Sequence, residues 1–184
     1  EILRLPRMAA SLDEVLADPG GEMTRTEGLW KVLEPQVRDR LENRIERRIL
    51  ASRLPARKTL DAFDFDFQPK LDRELVHDLA TLRFMDQANN VLLAGMSGTG
   101  KSHIAMALAL AGCVDDRRVR YTTSEKMLGT LNAALATNSL EQALTQYTGP
   151  ELLVIDEVGL EQVERTVASR AGLMQKVLLP RHEQ

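Results

Sequence analysis

The chain has 184 residues, of which 43% are hydrophobic and 28% are charged, and its formal net charge is −3. This composition is that of an ordinary globular protein with one sizeable core and an appendage. No apolar run approaches the length of a membrane span, and the single cysteine, Cys113, excludes an internal disulfide. The start of the sequence lacks the pattern of a secretory signal, so we expect a cytoplasmic protein without a membrane partner.

Residues 1–57 are predicted to form a small all-α unit. Pro6 is expected to begin a first helix, and Thr24 with Glu27 has the spacing of a capping box at the start of a second. Pro35 is expected to interrupt that helix and to begin a third one. The apolar positions of the third helix are Val37, Leu41, Ile45 and Ile49.

Positive charge is concentrated near this third helix. Residues 31–58 contain nine basic and four acidic side chains, a balance of +5 against −8 for the rest of the chain. At 100° per residue, Arg40, Arg44 and Arg47 lie along one edge of the helix, away from its acidic side chains. This segregation suits contact with the phosphate backbone of duplex DNA. An exposed arginine face or a contact between subunits would explain the same pattern, and both alternatives stay open.

A connector and an α/β domain are predicted to follow. In the connector, residues 58–70, phenylalanine and aspartate alternate, which indicates an extended segment that packs its aromatic rings on the next domain. In residues 71–184, helical and strand patterns alternate, which predicts a parallel three-layer α/β sandwich. Val119–Thr123 is predicted to be a strand of that sheet, with Ser124 as a possible cap of the next helix.

A glycine-rich motif follows the apolar run Val91–Ala94, which is predicted to be a buried strand. The motif has the spacing of a P-loop, in which glycines let backbone N–H groups approach phosphates. Lys101 is expected to reach the β- and γ-phosphates, and the Ser102 hydroxyl to bind Mg²⁺. The predicted nucleotide-binding residues, including the adjoining histidine, are Gly95, Met96, Ser97, Gly98, Thr99, Gly100, Lys101, Ser102 and His103.

A second apolar run, Leu152–Ile155, is followed by two carboxylates and predicts a central parallel strand. Asp156 at its carboxyl end is expected to bind Mg²⁺ together with Ser102. Glu157 is expected to be the general base that activates a water molecule, with Lys101 as the second catalytic residue. The adjacent carboxylates Asp156 and Glu157 favour hydrolysis of the nucleotide over phosphoryl transfer by a small-molecule kinase.

With both elements placed, the chain resembles an AAA+ ATPase. More narrowly, it resembles the IstB-type helper ATPases of insertion-sequence transposition, which are related to DnaC-type helicase loaders. The segments that carry the resemblance are Leu3–Met8, Lys58–Phe65, Asn90–His103, Val119–Thr123 and Leu152–Gly159. The resemblance implies a P-loop NTPase fold, ATP and Mg²⁺ as ligands, and a homo-oligomer on duplex DNA that assists a transposase. It also implies that the connector packs near the adenine, around Leu60 and Phe63.

The sequence departs from that family after Glu157. The last 27 residues predict a loop and one helix, without a further strand ending in a polar sensor residue and without a helical lid. Arg165, Arg170 and Arg181 are candidates for subunit contacts, and none is assigned as an arginine finger. We therefore expect a domain truncated at its carboxyl terminus. A DnaC-type helicase loader and a nucleotide-gated adaptor without turnover are the alternative functions.

Overall fold

The structure, a computed structural model, describes residues 6–17, 24–159 and 167–182. The chain divides into two compact units, Glu1–Arg47 and Arg48–Gln184. Within the described residues the helices are α1 Pro6–Leu16, α2 Arg25–Ser52, α3 Arg73–Ala80, α4 Arg83–Asp86, α5 Lys101–Val114, α6 Ser124–Ala136, α7 Leu140–Thr148 and α8 Val167–His182. The strands are β1 Val119–Thr123 and β2 Leu152–Asp156.

The first unit is helical where it is described. Helix α1 begins at Pro6, as predicted. The capping box before α2 is confirmed: the Thr24 N–H donates to Glu27 Oε2 at 2.7 Å, and the Glu27 N–H donates to Thr24 Oγ1 at 3.3 Å. Two backbone donors at the start of the helix are thereby satisfied reciprocally.

The predicted interruption at Pro35 is wrong, because α2 continues through it for 28 residues. A proline removes one backbone donor and crowds the preceding turn, at a cost of about 3 kcal/mol in a helix interior. Helix propagation is cooperative, so the many hydrogen bonds on both sides of the proline can offset that loss. The Glu34–Arg38 ion pair, with Oε1 and Nη2 2.7 Å apart, also spans the position.

None of the helices in the described residues combines the length and the apolar character that crossing a membrane requires.

The two strands form a parallel pair in the described part of the second unit. The register places Tyr121 opposite Val154 and Thr123 opposite Asp156. Side chains alternate between the two faces of a strand, so these four residues share one face. The carboxyl ends of both strands therefore meet at the same edge, where open α/β sheets bind ligands.

Helices cover both faces of this small sheet. Gly112 of α5 lies against one face, where a Cβ added to it would be 2.9 Å from the Val119 side chain. On the other face, Leu153 and Ile155 pack against a buried cluster supplied by α6, α7 and α8. The cluster contains Met127, Leu128, Leu131, Ala134, Ala143, Tyr147, Leu173 and Val177. The structure therefore has mixed helix and parallel sheet, as expected for the α/β class.

The predicted strand Val91–Ala94 is not formed in the described structure, where the segment has no assigned secondary structure. Leu93 packs against the cluster around α5, but Leu92 is 89% exposed. A β-strand depends on backbone hydrogen bonds to a neighbour, and the described sheet contains only β1 and β2. The apolar run alone therefore did not suffice to make a strand.

The connector is turned rather than extended, so that prediction is also wrong. The Phe63 N–H donates to the Leu60 carbonyl at 3.0 Å, and the Gln68 N–H donates to the Phe65 carbonyl at 3.0 Å. Phe63 and Phe65 pack on a cluster made by α3 and α5, whereas Phe67 is 70% exposed. The turns break the simple alternation, because they change which side of the chain faces the core.

Candidate nucleotide-binding site

The glycine-rich loop lies between Val91–Ala94 and the first turn of α5. Gly98 and Gly100 have φ angles of 78° and 88°, in the left-handed region that favours glycine. At Gly100 an added Cβ would lie 2.5 Å from the Phe63 ring. The first N–H groups of α5 have no acceptor within the helix, and such groups bind anions readily. The loop therefore has the backbone freedom and the donors that phosphate binding requires.

Lys101 folds back over this loop. Its Nζ donates to the backbone carbonyls of Gly95, at 2.8 Å, and Met96, at 2.6 Å. Phosphate oxygens are charged acceptors, so they can replace these neutral carbonyls with stronger hydrogen bonds. The positive charge is therefore held at the loop by the loop's own backbone.

Asp156, at the end of β2, lies near the start of α5, so the second predicted motif meets the glycine-rich loop. Burial favours a raised pKa for its carboxyl group, but hydrogen bonds from the Tyr121 and Ser102 hydroxyls and from the Glu157 N–H, together with the charge of Lys101, hold that pKa below its ordinary value. A hydroxyl and a carboxylate oxygen placed together are ligand types that Mg²⁺ accepts. The structure thus brings Lys101, Ser102 and Asp156 into one site.

The two oxygen donors, from Ser102 and Asp156, suit Mg²⁺ better than a metal ion whose ligands all come from the protein. Among the described residues there is no group of three or more His, Cys, Asp or Glu side chains that could enclose an ion. Magnesium commonly binds through one or two protein oxygens and takes its other ligands from substrate phosphates and water. Ser102 and Asp156 fit that pattern.

Tyr121 is a member of the site that the sequence analysis missed. Its hydroxyl donates to Asp156 Oδ2 at 2.5 Å, and its side chain is buried. Burial and the hydrogen bond to the Asp156 carboxylate both raise the pKa of Tyr121. The sequence signal that could have identified Tyr121 is the prediction of both strands in one parallel sheet. If two such strands are neighbours, diagonal residues on one face come within reach of a long side chain.

Glu157 adopts a left-handed backbone conformation with a φ of 57°, which costs about 1–2 kcal/mol for a residue other than glycine. Two hydrogen bonds hold it there. The Glu157 N–H donates to Asp156 Oδ1 at 2.8 Å, and the buried Ser124 hydroxyl donates to the Glu157 carbonyl at 3.0 Å. The Glu157 side chain itself is exposed to solvent, so water can reach its carboxylate.

Ser124 is therefore not the cap of α6, as the sequence analysis suggested. Thr123 is the cap, and its hydroxyl accepts a hydrogen bond from the Lys126 N–H at 3.3 Å. Either hydroxyl can cap a helix by sequence criteria alone. The burial of Ser124 against the turn after β2 decides between them, because it directs the Ser124 hydroxyl to Glu157.

The connector contacts the first turn of α5, where His103 lies against Phe63 and Thr59 of the connector. The Phe63 ring packs edge-on against the His103 ring, with centroids 5.2 Å apart. His103 Nε2 lies 2.8 Å from the Thr59 carbonyl oxygen, which can only accept, so Nε2 carries the hydrogen. A pocket of about 260 Å³ lies between the two segments and is lined by Ala62, Phe63, Asp64, Phe67, Gln68, Gly98, Thr99, Gly100 and His103.

Leu60, expected beside Phe63 near an adenine, packs instead against the cluster of Val76, Ile104 and Leu108. It does not line the pocket. Only Phe63 of that pair is in a position to contact a ligand there.

The three arginines predicted to contact DNA lie on α2, away from the loop in sequence. Arg40, Arg44 and Arg47 are all exposed. Arg47 Nε also donates to the Asn43 carbonyl of the same helix at 3.2 Å. The helix therefore presents all three side chains at the protein surface.

Of the three arginines considered for subunit contacts, Arg181 has partners within its own chain. Its guanidinium donates to the carbonyls of Tyr147, at 3.0 Å, Pro150, at 2.6 Å, and Glu151, at 3.0 Å. Burial lowers its pKa. Arg181 thus ties α8 to the segment between α7 and β2. Arg165 and the side chain of Arg170 lie outside the described residues.

Comparisons with known proteins give a family and several relatives of this chain. The family described as IstB-like ATP binding protein matches residues 1–184. A provisionally named ATP-binding protein of insertion sequence IS21 from Pseudomonas aeruginosa is 36% identical over 148 residues, covering 80% of this chain and 56% of that relative. A similarly named protein of IS232 from Bacillus thuringiensis subsp. berliner is 33% identical over 160 residues, covering 86% of this chain and 64% of the relative.

A third relative, from insertion sequence IS5376 of Geobacillus stearothermophilus, is 33% identical over 134 residues, with 73% of this chain and 53% of the relative covered. The chain thus spans between half and two thirds of the length of these relatives. The family match extends over the loop, over β2 and over Glu157, which follows it. This chain belongs to the family of IstB-like ATP-binding proteins.

Proposed function

We propose that this chain binds and hydrolyses ATP as an AAA+ accessory protein of DNA transposition, with duplex DNA, a transposase and further copies of itself as partners. The observation that carries the proposal is the meeting of Lys101 and Ser102 with Asp156 at the carboxyl edge of a parallel sheet. A lysine, a hydroxyl and a carboxylate from two distant segments form the minimum set for binding a nucleotide with Mg²⁺.

In this proposal the loop from Gly95 to His103 holds the phosphates through its backbone N–H groups. Lys101 leaves the carbonyls of Gly95 and Met96 and donates to phosphate oxygens instead. Ser102 and Asp156 hold Mg²⁺. The bound ion supplies positive charge that stabilises the negative charge of the reacting phosphates.

Glu157 is proposed as the general base. Its carboxylate accepts a proton from the attacking water as the bond between the β- and γ-phosphates breaks, which yields ADP and inorganic phosphate. The side chain follows Asp156 directly and is solvent-exposed. The hydrogen bonds of Glu157 N–H and C=O keep its backbone in one conformation, which limits the directions in which the side chain can point.

The pocket beside Phe63 is proposed to accept the adenine. An aromatic ring offers an adenine base stacking or edge contacts. The pocket adjoins Gly98, Thr99 and Gly100, so a base there would be close to phosphates held by the loop.

The DNA contact is proposed for Arg40, Arg44 and Arg47. Arginines exposed along one helix suit the phosphate backbone, which is recognised by charge and without sequence preference. The names of the relatives place them in insertion sequences, which favours transposition over helicase loading.

A nucleotide-gated adaptor without turnover is the second candidate. One observation favours it: Arg181, one of the three arginines considered for subunit contacts, is engaged by carbonyls of its own chain. Catalysis in this class of enzyme gains much of its rate from such an arginine. Measurement of turnover separates the two candidates.

The test compares wild type with Glu157→Gln and Lys101→Ala, with and without duplex DNA. We expect Glu157→Gln to keep nucleotide binding while turnover falls about 10²- to 10⁴-fold, the usual contribution of a general base. Lys101→Ala should bind nucleotide about 10- to 100-fold more weakly, because it loses hydrogen bonds between charged groups. Oligomer size is followed by light scattering in the same samples.

Unchanged turnover in Glu157→Gln removes Glu157 from the mechanism. Nucleotide binding by the wild type without any turnover supports the adaptor. Turnover and assembly that do not respond to duplex DNA count against the proposed DNA partner while leaving the ATPase intact.

A further inference from the structure

Tyr121 makes a hydrogen bond that nucleotide binding by itself does not explain. Its ring is buried, with 6% of the residue exposed, and its hydroxyl donates to Asp156 Oδ2 at 2.5 Å. The strand register makes the two residues diagonal neighbours on one face, since Tyr121 is opposite Val154 and Asp156 is two residues further. The contact is therefore built into the pairing of β1 with β2.

This hydrogen bond acts on a carboxylate that is held at its other oxygen as well. Asp156 Oδ1 accepts from the Glu157 N–H at 2.8 Å. With both oxygens bound, rotation of the carboxylate about its χ2 angle breaks at least one hydrogen bond. An ionised carboxylate has about four acceptor positions, so these two bonds leave positions open for a metal ion.

Ser102, in the first turn of α5, is the third residue near the Asp156 carboxylate. Its hydroxyl is near enough to the Asp156 carboxyl to help hold the pKa of that group below its ordinary value, so residues from β1, β2 and α5 converge on one group. Residues that hydrogen-bond to metal ligands orient those ligands, and their loss weakens metal binding even though they never touch the ion.

We propose that Tyr121 is a positioning residue whose hydroxyl fixes the orientation of the Asp156 carboxylate, and thereby sets the Mg²⁺ concentration at which the chain binds ATP. This inference rests on the proposed assignment of Ser102 and Asp156 as the magnesium ligands. It adds a residue of β1 to a site otherwise formed by the loop, the first turn of α5 and the end of β2.

Tyr121→Phe tests the hydroxyl while keeping the ring. The measurement is binding of a fluorescent ATP analogue by the full chain as Mg²⁺ is titrated, and again in EDTA. We expect the Mg²⁺ midpoint to rise about 10-fold or more, as is usual when a residue that orients a metal ligand is lost. Affinity in EDTA should equal that of wild type, because the contacts of the loop with phosphate are unchanged.

Tyr147→Phe is the matched control. Tyr147 is also a buried tyrosine, 1% exposed, but it belongs to the cluster on the opposite face of the sheet. The Tyr147→Phe variant should have the same Mg²⁺ midpoint as wild type. Far-UV circular dichroism and urea unfolding of both variants report whether either change acts through the fold.

A double-mutant cycle with Asp156→Asn supplies a second measurement. If Tyr121 acts through Asp156, adding Tyr121→Phe to Asp156→Asn should shift the Mg²⁺ midpoint no further. An equal shift in both backgrounds overturns the proposal.

A wild-type midpoint in Tyr121→Phe also overturns the proposal, and so does an equal loss of affinity with and without Mg²⁺, which would mark a purely structural role. If wild type itself fails to bind the nucleotide at any Mg²⁺ concentration, the proposed function fails first, and the inference fails with it. Normal binding by wild type and an unshifted variant disprove the inference alone.

Discussion

Two apolar runs of four residues precede the two halves of the site, and they have different structures. Leu152–Ile155 lies in β2 and pairs with β1 in a parallel ladder. Val91–Ala94 has a similar composition but no assigned secondary structure, and it leaves Leu92 89% exposed. The comparison shows that an apolar run defines a strand only where a neighbouring strand accepts and donates its backbone hydrogen bonds.

The two runs are consequently held in place by different interactions. Leu153 and Ile155 pack against the cluster of α6, α7 and α8. The loop that follows Val91–Ala94 is held by the connector, through the contact of Phe63 with Gly100 and the hydrogen bond between His103 and the Thr59 carbonyl. Strand pairing supports the carboxylates, whereas side-chain packing supports the glycine-rich loop.

The largest effect is expected at the contact between connector and loop. Gly100→Ala should destabilise the chain by about 2–4 kcal/mol, because its positive φ costs about 1 kcal/mol and its Cβ would overlap the Phe63 ring, an overpacking that costs about 1–3 kcal/mol. Gly98→Ala is the matched control, since Gly98 also has a positive φ but no atom within 4 Å of an added Cβ. Urea unfolding measures both variants.

Gly98→Ala should cost only about 1 kcal/mol. Equal losses in the two variants would mean that backbone strain accounts for both, and that packing of Phe63 does not hold the loop.

The next effect compares the two apolar runs directly. Leu153→Ala should cost about 2 kcal/mol, the lower end for a leucine in a core, since Leu153 is half-buried. Leu92→Ala should change stability by no more than about 0.5 kcal/mol, because its side chain is exposed. The free energies of unfolding of the two variants test whether the runs differ energetically. A loss at Leu92 as large as that at Leu153 would show that its side chain is buried in solution.

The smallest effect concerns pH. The pKa of Asp156 is held below its ordinary value of 3.8, so its carboxylate contributes stability above about pH 4 and loses it as the pH falls through the lower folded-state pKa. The difference in unfolding free energy between wild type and Asp156→Asn should therefore shrink as the pH falls below about 4. The effect should be small, because Asp156 is partly exposed and its interactions are screened by solvent. A difference that stays constant across that range would contradict the lowered pKa.

The motifs of the site could be predicted from the sequence because each depends on nearby residues. The spacing of Gly95, Gly98, Gly100, Lys101 and Ser102 and the position of Asp156 after an apolar run are local patterns. The capping box of Thr24 and Glu27 is equally local, and it formed as predicted. The family resemblance followed from the two site motifs together with Leu3–Met8, Lys58–Phe65 and Val119–Thr123.

Other features depended on contacts between distant residues, and there the sequence analysis was wrong or incomplete. Pro35 did not break α2, and Ser124 was not the helix cap. Tyr121 was overlooked, because its role depends on a residue 35 positions away. The proposed roles of Glu157 and of Arg40, Arg44 and Arg47 stay predictions until the assays described above are done.

The sequence by itself determined the motifs of this protein: the glycine-rich loop, the carboxylates Asp156 and Glu157 after an apolar run, and the membership of the IstB-like family. Only the tertiary structure decided which apolar run became a strand, which hydroxyl contacts Asp156 and which holds Glu157. The physical reason is that turns, caps and glycine conformations depend on neighbours along the chain, whereas strand pairing and buried hydrogen bonds depend on partners brought close by folding.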